Sequence, residues 1–394
     1  MQDDETKLPW SSRQGLEALR GILKQALPQW PSGPHDWQLE STASILDKKN
    51  QLVVTACGDG KTAAAYLHLL VLQKLTEDPK LPRFNTEIPD KPIVLMVTPL
   101  SDLGKSQASE MTRLGIRAIA LDADMVAEAT ADETDLYKEI CERLWTVVIV
   151  SPERLTSPEF DSVVRNEIVR ASLVLHVVDE AHIVLPWART FREAYGEIGN
   201  IKARIPPNVP ILAMTATSIP GAVEAEMLRT IGFRREDHRT IRRTCERPNL
   251  RTVFVTLSHG LGGWDFPDIA WLARAGKKAV LYCASIEMGF RVATYLWRLL
   301  PAGQDRFRTI QMYNGLISST ANADALLSFN TDPAALIMIA TVKFGMGIDV
   351  RNIEVSINLG LPESAEAILQ QNGRAGRDRS MDACGFTYIQ KTLV

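Results

Sequence analysis

The sequence predicts an α/β protein of two units, each a mostly parallel sheet flanked by helices. Three observations predict it. Short β-branched apolar runs alternate with helical patterns along the chain. The runs are almost continuously apolar, as suits strands covered on both faces. They fall into two series that divide near residues 245–250. A chain of 394 residues, 45% hydrophobic and 23% charged, carries material for two or three packed cores. That excludes global disorder and collagen-like repeats.

The elements follow in order. Residues 11–27 read as an amphipathic helix, with Leu16, Leu19, Ile22, Leu23 and Leu27 on one stripe, within an N-terminal extension of residues 1–30. Pro28, Pro31, Gly33 and Pro34 then break the chain. The first unit, 31–246, carries QLVVT (51–55), IVLMVT (93–98), TVVIVS (146–151), LVLHVV (173–178) and ILAMTA (211–216). The second, 247–394, carries TVFVTL (252–257), AVLYCA (279–284), TIQMY (309–313), ALIMIAT (335–341), VSINL (355–359) and a terminal GFTYI. Residues 76–92, with four prolines, read as a surface loop. Residues 122–139 carry Asp122, Asp124, Glu128, Asp132, Glu133, Asp135 and Glu139 against Lys138 alone. They read as a solvated acidic face turned away from any nucleic acid.

The formal charge of −3 confines any nucleic-acid site to a local patch. The five cysteines (Cys57, Cys141, Cys245, Cys283, Cys384) are scattered without a C-x-x-C pair, and the histidines lack ligand spacing. A disulfide framework and a zinc ion are therefore not expected, and a reducing compartment fits. No apolar run approaches a membrane span, so no membrane is expected as a partner. MQDDETKLPW is polar and acidic, unlike a secretory signal.

Three motifs carry chemistry. Thr55-Ala56-Cys57-Gly58-Asp59-Gly60-Lys61-Thr62 follows a predicted strand and opens a helical pattern. Its glycines let backbone N–H groups close around phosphate oxygens, Lys61 reaches the β- and γ-phosphates, and Thr62 offers a hydroxyl to Mg²⁺. Asp59, within the loop, must point outward from a polyphosphate. Val178-Asp179-Glu180-Ala181-His182 ends another strand, where ligands of open α/β sheets sit. Asp179 is placed to hold Mg²⁺, and Glu180 to orient and deprotonate the attacking water. In Gln370-Gln371-Asn372-Gly373-Arg374-Ala375-Gly376-Arg377, two arginines three apart lie on one side of a predicted helical turn. Arg374 and Arg377 can stabilise charge developing on a γ-phosphate.

These motifs, with Thr215-Ala216-Thr217 between them, resemble those of a superfamily 2 helicase, and more specifically the RecQ family of DNA helicases. Ser151-Pro152-Glu153-Arg154-Leu155 resembles motif Ib, and Arg247-Pro248-Asn249-Leu250 the opening of the second domain. Leu281 to Ser285 resembles motif IV and Ala340 to Asp349 motif V. Trp187, Phe191, Arg192 and Tyr195 fall where the family has its aromatic-rich loop. The resemblance covers roughly residues 15–390. It implies two tandem RecA-like domains, ATP and Mg²⁺ as cofactors, and a DNA-stimulated ATPase moving 3′ to 5′ on single-stranded DNA and tailed duplexes. It also implies a setting in DNA repair and recombination, nuclear in a eukaryote and otherwise in the cytoplasm or nucleoid.

By the same resemblance Gln38 reads adenine, with Asp349 on the ribose and Gln370 in the catalytic set. Pro99, Leu100, Gln107, Ser151, Ser285 and Thr341 contact DNA, as do Trp187, Phe191 and Arg192 of the aromatic loop. That loop has a rationale of its own, since an aromatic beside an arginine can stack a base and hold its phosphate. The competing reading is that Trp187, Phe191 and Tyr195, at helical spacing, are core. His182 is expected to bridge to the second domain. Departures from the family are Ala56, Cys57 and Asp59 in the loop, Pro34-His35 ahead of Gln38, and Ile183-Val184-Leu185-Pro186 after the acidic motif. Arg234, Arg235, Arg239, Arg242, Arg243, Arg247 and Arg251 form either a solvated linker face or a phosphate-tracking stripe. An RNA-directed helicase and a non-catalytic nucleic-acid scaffold stay open as alternatives.

Overall fold

The computed structural model describes residues 8–56, 58–190, 192–234, 238–244, 246–341 and 350–391. Cys57, Phe191, Arg235, Cys245 and Asp349, with the rest of 342–349, lie outside the described residues. The chain divides into two compact units that part between residues 244 and 245, with residues 56–58 grouped with the second.

The first unit holds a seven-stranded sheet. In chain order its strands are β1 (Asn50–Val54), β2 (Ile93–Val97), β3 (Ala118–Leu121), β4 (Val147–Val150), β5 (Leu173–Val178), β6 (Ile211–Thr215) and β7 (His238–Arg242). They lie side by side as β3-β4-β2-β5-β6-β1-β7, and every pair is parallel. The inner strands are buried along nearly their whole length, which explains their unbroken apolar character. Two strands escape the sequence reading. β3 (AIAL) is too short to stand out from the helix before it, and β7 (HRTIR) is an exposed edge with little apolar character.

Helices α1 (Arg13–Ala26), α2 (Asp36–Leu46), α3 (Lys61–Glu77) and α4 (Ser101–Arg113) cover this sheet. α1 starts where the Ser12 hydroxyl accepts from the Gly15 amide, and it buries Leu19, Ile22 and Leu23. α3 is buried without a break from Ala63 to Leu72, His68 among them. Residues 78–92 hold no helix or strand, as their prolines predict.

The second unit holds a six-stranded sheet of β8 (Leu250–Thr256), β9 (Ala279–Cys283), β10 (Ile310–Tyr313), β11 (Ile337–Ala340), β12 (Val355–Leu359) and β13 (Ala383–Ile389). The order is β10-β11-β9-β12-β13-β8, again parallel throughout. Helix Ile286–Leu299 packs on it through Val292, Ala293 and Leu296. Among the described residues no helix is long and apolar enough to cross a membrane.

Candidate nucleotide and nucleic-acid sites

In a parallel sheet every strand runs the same way, so all the loops after the strands gather at one edge. In the first unit that edge collects residues 55 and 59–60 after β1, 98–100 after β2, 122 after β3, 151 after β4, 179–182 after β5 and 215–217 after β6. Motifs spread over about 160 residues of sequence thereby share one end of one sheet.

The glycine-rich loop turns through left-handed backbone at Gly58 (φ 84°) and Gly60 (φ 78°), and Gly60 caps α3. The Lys61 Nζ donates to the Thr55 carbonyl at 3.1 Å. The Thr55 hydroxyl donates to Asp59 Oδ2 at 2.5 Å, so the Asp59 carboxylate folds back onto the end of β1 instead of pointing outward. Thr62 lies in the first turn of α3, half-buried. Gln38 is buried in α2; its Nε2 donates 3.0 Å to the Gly60 carbonyl and its Oε1 accepts from the His35 amide at 2.8 Å. It therefore braces the loop. One N–H and one lone pair of the amide are left over for an adenine edge.

The acidic motif lies at the end of β5. Asp179 is buried, with Oδ1 accepting from the Glu180 amide at 2.8 Å and Oδ2 from Gln107 Nε2 at 2.6 Å. Burial, together with the neighbouring Glu180 charge, pushes the Asp179 carboxyl up to about 6; Glu180's amide, Lys61 and Gln107 pull it partly back. Glu180 takes left-handed backbone (φ 47°), an uncommon state for a non-glycine residue. Its Oε2 is buried without a hydrogen-bond partner among the described residues, and His182 Nδ1 lies 3.5 Å away. A carboxylate oxygen held dry and unbonded is suited to accept a proton from water.

Within its own unit His182 joins two motifs. Its Nδ1 lies 2.9 Å from Thr215 Oγ1, whose hydroxyl donates to the Thr217 carbonyl at 2.9 Å. With that hydroxyl proton committed, His182 Nδ1 is the donor. The acidic motif and the Thr215–Thr217 turn are thus joined directly.

Several residues assigned to DNA have different surroundings. Gln107 is buried against Asp179, so it does not face a nucleic acid. Pro99 is buried, and its carbonyl accepts from Arg192 Nη1 at 2.6 Å. Arg192 also lies 3.5 Å from Glu153 and 5.0 Å from the Trp187 ring centroid. Trp187 is half-buried and packs edge-on against Tyr195, which is core. Leu100 and Ser151 line a cavity of about 300 Å³ beside Thr98, Ser101, Asp122 and Arg154. The Ser151 and Ser285 hydroxyls cap helices, accepting from Arg154 and Met288 amides. Asp122 opens onto that cavity, contrary to the expected outward acidic face, and Lys105 neutralises it at 2.6 Å. Thr341 follows β11, half-buried.

In the second unit Gln370 is buried near the end of helix Ala365–Asn372. Arg374 and Arg377 belong to the turn after that helix, not to a helical turn; Arg374 is buried and Arg377 half-buried. The turn needs Gly376 in left-handed backbone (φ 61°). Arg247 donates to the Ala375 and Gly376 carbonyls, and Asn249 Nδ2 to those of Gly376 (2.8 Å) and Met381 (2.9 Å). Arg239 pairs with Glu40 and Arg242 with Glu224, each at 2.5 Å. Three of the arginines read as a stripe are thus engaged within the protein.

A glycine-rich loop and an acidic turn at one edge of a parallel sheet, with a second parallel-sheet unit following, define a helicase core of superfamily 2. The DEAD/DEAH box helicase family matches residues 35–225, and the helicase conserved C-terminal domain matches 265–379. ATP-dependent DNA helicase RecQ of Pasteurella multocida is 26% identical over 346 residues, covering 86% of this chain and 48% of its own. ATP-dependent helicase wrn-1 of Caenorhabditis elegans is 26% identical over 400 residues, covering 99% of this chain and 34% of its own. The solved structure of the DUF1998 helicase MrfA, bound to DNA and AMPPNP, is similar in fold (TM-score 0.74, 17% identity, 95% of this chain and 51% of that one). The chain belongs to the superfamily 2 helicases, and its core is similar to those of RecQ helicases. It spans about half or less of the length of the curated relatives named here.

Proposed function

We propose that this chain hydrolyses ATP with Mg²⁺ and uses the cycle to translocate 3′ to 5′ on single-stranded DNA and to open tailed duplexes. The observation that carries the reading is the pairing of two carboxylates with different environments at the end of β5. Asp179 has both oxygens engaged, while Glu180 keeps one oxygen unbonded. That difference suits one to a metal and the other to a water.

The donor set fits the cofactors. Among the described residues no group of three or more His, Cys, Asp or Glu side chains could cage a metal. Mg²⁺ suits such a site, because it is commonly held by one or two protein ligands with phosphates and waters. Asp179 and Thr62 are the ligands assigned here. Bound ATP would supply the phosphoanhydride, with Mg²⁺ offsetting its charge. The chain's residues do the rest. Amides after Gly58 and Gly60 and the Lys61 ammonium hold phosphate oxygens. Glu180 Oε2 orients water and takes its proton. His182 holds the Thr215–Thr217 turn against that carboxylate. Arg374 and Arg377 are assigned to the charge that develops on the γ-phosphate. The cavity beside Leu100 and Ser151, with Trp187 and Arg192, is assigned to the DNA strand, and Thr341 and Ser285 to its backbone.

The test is steady-state ATPase with no nucleic acid, single-stranded DNA or single-stranded RNA, beside strand displacement on 3′-tailed and 5′-tailed duplexes. DNA-stimulated hydrolysis with displacement of the 3′-tailed substrate is expected. Stimulation by RNA alone would move the chain to the RNA-directed helicases. No hydrolysis at saturating DNA would make it a scaffold.

A further inference from the structure

We infer that Gln107 is the positioning residue for Asp179 and so sets the Mg²⁺ requirement of the nucleotide site; the inference rests on the function proposed above. Gln107 is 3% exposed, in the middle of α4. Its Nε2 lies 2.6 Å from Asp179 Oδ2, while Oδ1 takes the Glu180 amide. Two donors on opposite oxygens fix the rotation of the carboxyl plane. Each oxygen keeps a further lone pair for a cation or its waters. Without Gln107 only the main-chain donor remains, and the carboxylate can turn about its Cβ–Cγ bond.

The helix that carries Gln107 cannot easily yield. At Gly104, one turn before Gln107, an added Cβ would sit 3.2 Å from Thr98 Cγ2 and 3.3 Å from Ile149 Cγ2, so α4 lies close against the sheet. Leu103, Ala108 and Met111 are buried beside it. Gln107 is therefore held from behind by packing while its amide faces the carboxylate. An outer partner with a fixed base orients a metal ligand, and removing such partners typically weakens metal affinity 10–100-fold.

Gln107→Met keeps the length and apolar stem and deletes the donor; Gln107→His restores an N–H. Binding of fluorescent ADP is titrated with Mg²⁺ for each protein, beside ATPase and single-stranded DNA binding. Melting curves in EDTA confirm that each variant is folded. The expected result is a roughly tenfold rise in the Mg²⁺ needed for half-maximal ADP binding in Gln107→Met, partial return in Gln107→His, and a fall in kcat. ADP affinity in EDTA and DNA affinity should be unchanged. An unchanged Mg²⁺ midpoint in folded Gln107→Met, with wild type Mg²⁺-dependent, overturns the inference and leaves the function intact. A loss of DNA affinity without a Mg²⁺ effect overturns it in favour of a nucleic-acid contact. Wild type that binds no nucleotide removes both. If Gln107→Met does not fold, Gln107→Leu takes its place with the same expected rise, and an unchanged Mg²⁺ midpoint in it overturns the inference.

Discussion

At the residue scale, burial and hydrogen bonding divide the work between two adjacent carboxylates. Lys61→Ala should abolish ATP turnover, and Glu180→Gln should keep nucleotide binding while cutting hydrolysis by 10²–10⁴-fold, roughly the worth of a general base; equilibrium binding beside ATPase checks both. Asp179 carries a stability consequence whose sign is fixed. Its folded carboxyl is raised to about 6, above its ordinary value of 3.8. Between those values the folded state holds the extra proton, so folding gains as pH falls through 6, and above 6 the burial cost is fully present. Asp179→Asn removes that cost, and the Gln107 amide can turn its oxygen to the new NH₂. Without nucleotide, Asp179→Asn should melt higher than wild type at pH 7.5, and the gap should narrow by pH 5. Asp179 and Glu180 were legible because they are consecutive and sit at a strand end. Gln107 was not, since its partner is 72 residues away and only the packing of α4 brings them together.

At the element scale, apolar runs identified eleven strands and hid two. The two hidden ones lie at opposite edges of the first sheet: β3 is apolar but only four residues long, while β7 is an exposed edge with little apolar character. The resemblance placed Ser151 and Ser285 on DNA, and the structure adds that their hydroxyls cap helices. The turn that carries Arg374 depends on a contact between helix Ala365–Asn372 and β13. Asn358 Nδ2 donates to Asn372 Oδ1 at 2.9 Å and to Thr387 at 3.1 Å, and Gly385 leaves room for Asn372. A Cβ at Gly385 would lie 2.5 Å from Asn372 Cγ. Gly385→Ala should therefore cost about 1–3 kcal/mol in denaturant unfolding, as overpacking does. It should lower ATPase more than nucleotide affinity, because the displaced turn is the one holding Arg374.

At the scale of the whole molecule, the choice between a linker face and a phosphate-tracking stripe turns on which arginines are paired in space. Arg239 and Arg242 face Glu40 and Glu224, which stand far from them in the chain. Replacing both arginines with alanine should leave the slope of log affinity for single-stranded DNA against log salt unchanged. A slope shallower by one or two would restore the phosphate-tracking stripe. By itself the sequence determined the α/β class, the two series of strands, the family, and the loops that carry the motifs. Those follow from local periodicity and from motifs that are contiguous in the chain. Only the tertiary structure decided which polar groups are spent on the protein itself. Gln107 went to Asp179, Arg247 to the turn of Gly376 and Asp59 to Thr55. The reason is that a buried polar group must find a partner, and most such partners lie far away in sequence until parallel strands gather their loops at one edge.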